Sequence, residues 1–406
     1  MGLRRRSPWA AAVLGALLAM TACSSGSSSS APRSVSWQPA ASGALGPGLV
    51  RIVDAAPGPA GLLAVGSVTT DGKRVPAAWS TTDGTTWSKL GTEPKSPYGV
   101  ESELTTVGVG ADGKAAAIGQ AVGGAHGNPR IGSWYLDGTT LREVVADVEL
   151  YGGPRQGSVD EMAAGPAGFV VVGTRTDRND RTGAAAWTSP DAHDAFTIHD
   201  ADPALESAPT ETVRAFAVAA SLRGYLAAGD RFVSGQGRLD SDAIFWTSTD
   251  GGTWTRVDDK SLGGPASDTP QLAVAWRDGW AVAGSSTNNG RTSVVVWTSA
   301  DGRSWRRTTV AALGTDPDPL SAVTSLNVVN GGLVIGARLG TRLAVATSAD
   351  GQSWRALTMP STVPSGEHAL VVAAPAGPDL VLAATTDDGT VLWSTPEPQA
   401  REPEGT

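Results

Sequence analysis

The feature that most limits how this chain can fold is a short element that recurs along nearly its whole length. It consists of a glycine, a brief apolar run and a second glycine, at Gly61–Gly66, Gly113–Gly119, Gly168–Gly173, Gly224–Gly229, Gly279–Gly284 and Gly332–Gly336. A degenerate seventh copy runs from Asp379 to Thr385. The second glycines lie at 66, 119, 173, 229, 284 and 336, in steps of 53, 54, 56, 55 and 52. Runs this short and rich in Val and Leu read as buried strands. Their regular spacing makes the chain a repeat array, not a set of unrelated domains.

A second element follows each first one. It ends at Trp87, Leu141, Phe196, Trp254, Trp305 and Trp354, and its core is an apolar run, an Asp-Gly pair in five of the six copies, and another apolar residue. Asp-Gly between apolar runs predicts a hairpin. An inner strand, the glycine-bounded strand and this hairpin make four strands per period, which is the content of a propeller blade. The seventh period breaks off after the strand beginning at Val391, among Pro396, Pro398 and Pro403. Its missing piece is at the other end, where Ser36-Trp37-Gln38 matches Ser304-Trp305-Arg306 and Ser353-Trp354-Arg355 without three strands before it. The expected fold is therefore all-β, a single seven-bladed β-propeller of four-stranded blades over residues 34–396, with residues 34–41 as the outer strand of the last blade. That closure removes free sheet edges.

Four hairpins carry a sharper pattern: Thr81-Thr-Asp83-Gly-Thr-Thr-Trp87, Ser248-Thr-Asp250-Gly-Gly-Thr-Trp254, Ser299-Ala-Asp301-Gly-Arg-Ser-Trp305 and Ser348-Ala-Asp350-Gly-Gln-Ser-Trp354. It resembles the Asp-box, or BNR repeat, of sialidase-like propellers, shortened by one residue between Asp and Trp. The resemblance implies the fold across nearly the whole exported domain and leaves activity open, because such propellers serve unrelated functions. Asp83, Asp250, Asp301 and Asp350 read as structural acceptors for their own turns, and Trp87, Trp254, Trp305 and Trp354 as packing between sheets. Set on separate blades, the four aspartates do not converge on a metal, and no cofactor is expected. The resemblance also implies that they lie on the face away from an active site.

The N-terminus reads as a signal. Arg4, Arg5 and Arg6 precede an apolar run over Ala10–Ala19 that is too short to span a bilayer. Met20-Thr-Ala-Cys23 resembles a bacterial lipobox, with Cys23 as the lipidated residue, 1–22 as signal peptide, 23–33 as a Ser-rich tether and 397–406 as a disordered tail. Cys23 is the only cysteine, so no internal disulfide supports the domain. The expectation is a monomer on the outer face of the cell membrane, held by that lipid. Cleavage before Cys23 removes three arginines and no acid, taking the net charge from −9 to −12. Such acidity disfavours nucleic acid as a partner and disfavours direct bilayer docking.

Catalytic signals are sparse. The resemblance implies, for a sialidase, a late tyrosine nucleophile and three arginines. Here the tyrosines are Tyr98, Tyr135, Tyr151 and Tyr225, none of them in the last three blades. His126, His193, His199 and His368 lack metal-ligand spacing. Two carboxylates suffice for a glycosidase, so that class stays open. Near the expected starts of the inner strands lie Arg51, Glu103, Asp160, Glu211, Arg214, Asp268 and Glu367, either a solvated acidic rim or a binding rim around the channel mouth. Longer loops near 177–181, 238–242 and 288–291 are candidates for recognition. The first functional expectation is a non-enzymatic module binding a protein or glycan. The alternative is a cell-surface glycoside hydrolase or lyase of the sialidase-like type.

Overall fold

The computed structural model describes residues 31–41, 43–123, 128–177, 180–234, 241–314 and 319–396. Cys23, the signal and tether up to residue 30, His126 and the tail lie outside the described residues, as do parts of the loops near 178 and 238.

Seven antiparallel sheets follow one another around a ring. Their inner strands are Leu49–Gly58, Glu103–Val109, Gln156–Gly165, Glu211–Ser221, Ser267–Trp276, Leu320–Val329 and Leu370–Ala376. The second strands begin at the first glycine of each repeat, or at Ala115 and Asp379 in blades 2 and 7. Third strands carry Trp79, Trp134, Trp187, Trp246, Trp297 and Trp393, all of them buried. Between neighbouring blades these indoles meet small alanines and branched residues, so the core is a series of layers between sheets. Outer strands hold only two to five residues, such as Ser88–Lys89 and Thr140–Val144, which leaves little exposed edge.

The closure expected from Ser36–Pro39 is present. Gln38 and Pro39 pair antiparallel with Ser394 and Trp393, and the Ala40 amide donates to the Leu392 carbonyl at 3.0 Å. The strand is shorter than expected, and the preceding segment instead crosses to blade 6. There Arg33 makes a parallel bridge to Leu357, and Trp37 Nε1 donates to Thr358 O at 2.7 Å. Blade 2 also departs from four strands, because Gly91–Glu93 adds a fifth, parallel to Thr140–Val144.

The recurrent second glycine has a steric cause. In six blades the inner strand contains a β-bulge, with Val53, Thr105, Asp160, Phe216, Gln271 and Thr324 as the extra residues. A bulge kinks its strand and drives a carbonyl toward the partner strand. A Cβ at Gly66 would sit 1.8 Å from Arg51 O, and one at Gly229 would sit 1.7 Å from Arg214 O. The glycine period read from sequence is thus the imprint of bulges that line the channel.

Candidate active site at the channel mouth

The bulge decides what faces the channel. Successive strand residues normally point to opposite sides, but one extra residue puts Asp160 and its neighbour Glu161 on the same cavity. That cavity is about 460 Å³, and its wall also holds Asp54, Gln120, Phe216 and Gln271. Three carboxylates from blades 1 and 3 therefore gather at one opening.

In four of the six blades the residue directly after the bulge has a second task, tying its blade to the next. Asp54 Oδ2 accepts from Val107 N at 2.9 Å, Thr106 Oγ1 from Met162 N at 3.1 Å, Glu161 Oε2 from Val218 N at 2.9 Å, and Ser325 Oγ from Ala373 N at 3.1 Å. Blades 2 and 6 make this clip with an uncharged hydroxyl. The fold therefore does not require the charges at 54 and 161, and each is costly in so enclosed a place.

That cost shows in their acidities. Burial pushes the Asp54 carboxyl up from 3.8 to about 6, against the lowering pull of the Val107 and Ala55 amides. Burial likewise raises Asp160 to about 6, opposed by a hydrogen bond from Ser158 Oγ at 2.5 Å and by the charge of Arg214. Glu161 is raised well above the usual carboxylate range by burial, with the negative charges of Asp54 and Asp160 adding to the rise. Carboxyls held near neutrality in a cavity are suited to proton transfer.

The rim residues read from sequence have diverse placements. Asp160 lines the cavity. Glu103 accepts from Ser67 Oγ at 2.7 Å and pairs with Arg51 at 3.3 Å. Glu211 pairs with Arg256 at 2.6 Å, and Arg214 makes a two-pronged pair with Asp230. Asp268 is buried and takes two bonds from Arg307, both 2.9 Å, so it is not a solvated acid. Glu367 is exposed ahead of the last inner strand. Arginines thus neutralise Glu103, Glu211 and Asp268, leaving Asp54, Asp160 and Glu161 inside the channel without an ion pair among the described residues. Sequence reasoning missed Asp54 and Glu161. The available signal was an acid in the inner strand, two residues past the partner of a repeat glycine.

At the far ends of the blades the Asp-box turns are built as expected. Asp301 Oδ1 accepts from Arg303 N and Ser304 N, both at 2.8 Å, and Ser299 Oγ accepts from Gly302 N at 2.9 Å. The amides of Ser304 and Arg303 hold Asp301 down at about 2, and those of Thr86 and Thr85 do the same for Asp83. Asp250 and Asp350 repeat the pattern. Trp87, Trp254 and Trp354 donate Nε1–H to the carbonyl of the box glycine, while Trp305 packs on Phe245 with ring centroids 4.4 Å apart. In blade 3 the glycine position is Ala192, which holds φ at +62°. Among the described residues no group of three His, Cys, Asp or Glu side chains is arranged to hold a metal. No tyrosine or arginine lines the channel cavity.

No family model matches the sequence, and no curated protein matches it. Solved structures of similar shape include an α-L-arabinofuranosidase from Fusarium graminearum, at 13% identity and a TM-score of 0.46, covering 71% of this chain and 91% of that one. The endosialidase of phage phi92 has 10% identity and a TM-score of 0.46, covering 89% and 68%. Trypanosoma rangeli sialidase has 12% identity and a TM-score of 0.43, covering 77% and 56%. At these identities the likeness is one of fold, a sialidase-like β-propeller. The first functional expectation, a non-enzymatic binding or scaffold module, is corrected here. The channel holds a carboxylate cluster of the kind whose apparent absence from the sequence had favoured that expectation.

Proposed function

We propose that the channel mouth hydrolyses a glycosidic bond of a neutral carbohydrate. The observation that carries this reading is the pair of charged clips, Asp54 and Glu161, where blades 2 and 6 manage with Thr106 and Ser325, beside a third carboxyl on the bulge. Asp160 is the proton donor to the leaving oxygen, since it is held protonated up to about pH 6 and hydrogen-bonded only at one side by Ser158. Asp54, which burial also holds at about 6, is the partner that ionises while the two carboxyls share one proton, its charge supported by two backbone amides. Phe216 offers a ring face to a sugar. Arg214, whose guanidinium lies 5.2 Å from the centre of the Phe216 ring, is already paired with Asp230, which favours a neutral sugar over a substrate carboxylate. A screen with aryl glycosides of common pyranoses and furanoses tests the reading. Asp160→Asn should lower kcat at least a hundredfold in a folded protein, and activity on unactivated substrates should peak near pH 6 and fall on either side, as Asp54 gains its proton or Asp160 loses its own. An Asp160→Asn protein with wild-type turnover refutes it.

The chain further reads as an exported lipoprotein anchored through Cys23, supported by the basic, apolar and lipobox-like segments. Cys23→Ala should move the folded protein from the membrane fraction to the soluble fraction. Firm membrane retention of the variant refutes the anchor.

A further inference from the structure

Beside the channel, blade 2 leaves open a position that its neighbours cap. The third-strand tryptophans of blades 1, 3 and 4 donate Nε1–H to carbonyls of the connecting segments at the channel-mouth end, Trp79 to Leu45 at 2.9 Å, Trp187 to Leu150 at 2.9 Å and Trp246 to Ala204 at 2.8 Å. Trp134, the blade 2 equivalent, is buried, makes no such bond to a connecting segment and lines a cavity of about 270 Å³; Trp297 of blade 5 also lacks a partner among the described residues. The extra strand Gly91–Glu93 draws the preceding connection outward onto Thr140–Val144, away from the indole. Gly119 lines the same cavity, and a Cβ there would come within 2.8 Å of that nitrogen.

The other walls are chemically paired. Glu143, only 4% exposed, accepts from Lys95 N at 2.6 Å and Ser96 N at 2.8 Å through one oxygen, and from Ser96 Oγ through the other. Arg130 has a buried Nε without a partner, and its guanidinium lies 5.5 Å from the centre of the half-exposed Tyr98 ring. Gln120, the residue after Gly119, faces the channel cavity, so the two sites flank one strand end.

We propose that this blade 2 cavity binds one neutral sugar ring of the carbohydrate chain cleaved at the channel mouth, an inference that rests on the glycosidase reading. The indole N–H and the Arg130 guanidinium supply donors to sugar oxygens, Glu143 accepts from a hydroxyl, and Tyr98 offers a ring face to C–H bonds. Arg130 against Glu143 and Asp147 leaves the pocket one negative charge, which repels a sugar carboxylate and favours an uncharged ring.

The test is an NMR titration of the full exported domain with ¹⁵N-labelled tryptophan, the Trp134 indole signal being assigned by its loss in Trp134→Phe. D-glucose, D-galactose, L-arabinose and N-acetyl-D-glucosamine are the probes, with D-glucuronate as the charged comparison, each raised to about 0.1 M to reach millimolar sites. The Trp134 signal should move with at least one neutral sugar, and Tyr98→Ala or Arg130→Ala should weaken that binding roughly fivefold, the loss of one good contact. A Trp134 signal unmoved by all four neutral sugars, or moved by D-glucuronate alone, overturns the proposal. The titration needs no turnover. Sugar-dependent shifts in a protein that hydrolyses nothing keep the pocket and remove the reaction, whereas hydrolysis with a still Trp134 does the reverse.

Discussion

Replacing Asp54 by threonine should make the protein more stable at neutral pH, and the gain should vanish in acid. The substitution copies blade 2, where Thr106 makes the equivalent bond to the next inner strand without a charge. Burial holds the Asp54 carboxyl at about 6 instead of 3.8, so the folded state keeps a proton that the unfolded chain releases. A raised carboxyl gives stability that is intact below about pH 3.8 and falls as pH climbs to about 6. At about 1.4 kcal/mol per tenfold difference in acidity, the ionised folded state carries a burden of roughly 3 kcal/mol at pH 7.5. Water in the channel and the lost bond from the Ala55 amide at 2.8 Å reduce the net gain to roughly 2 kcal/mol. Urea unfolding at intervals from pH 4 to 8 measures it, read as the difference between variant and wild type so that the rest of the protein's titration cancels. A pH-independent difference, or a variant less stable than wild type at pH 7.5, refutes the claim that this charge is unfavourable to the fold. The same variant should lose hydrolytic activity.

Gly229→Ala places a methyl 1.7 Å from Arg214 O, so the bulge must straighten or the strands part, at a cost of roughly 3 to 4 kcal/mol by chemical denaturation. Gly264→Ala, with nothing within 4 Å, should lie within about 0.5 kcal/mol of wild type, and equal losses in both would sink the steric account. Asp268→Ala strands Arg307, which keeps only Ser286 Oγ, and should cost about 2 kcal/mol because the guanidinium is partly solvated. An unchanged midpoint for Asp268→Ala would return that residue to a solvated rim.

The number of blades, the place of the closure and the positions of the Asp-box turns were legible in the sequence. Each depends on local rules that repeat seven or four times: an apolar run bounded by glycine, Asp-Gly in a hairpin, an orphan Ser-Trp-Gln strand at one end. Repetition turns weak local signals into a strong one. The site was not legible in the same way. Asp160 was found as a rim acid, but whether a carboxylate is free or paired depends on arginines some forty residues away, such as Arg256 for Glu211 and Arg307 for Asp268, which only the stacking of strands brings near. Asp54 and Glu161 share a cavity with Asp160 because a single extra residue in the inner strand rotates the chain, and alternation read along the sequence places them on the wrong side. The glycines recorded that bulge as a spacing, but the side chains that it turns into the channel are decided by the closed ring, where inner strands distant in sequence face one opening.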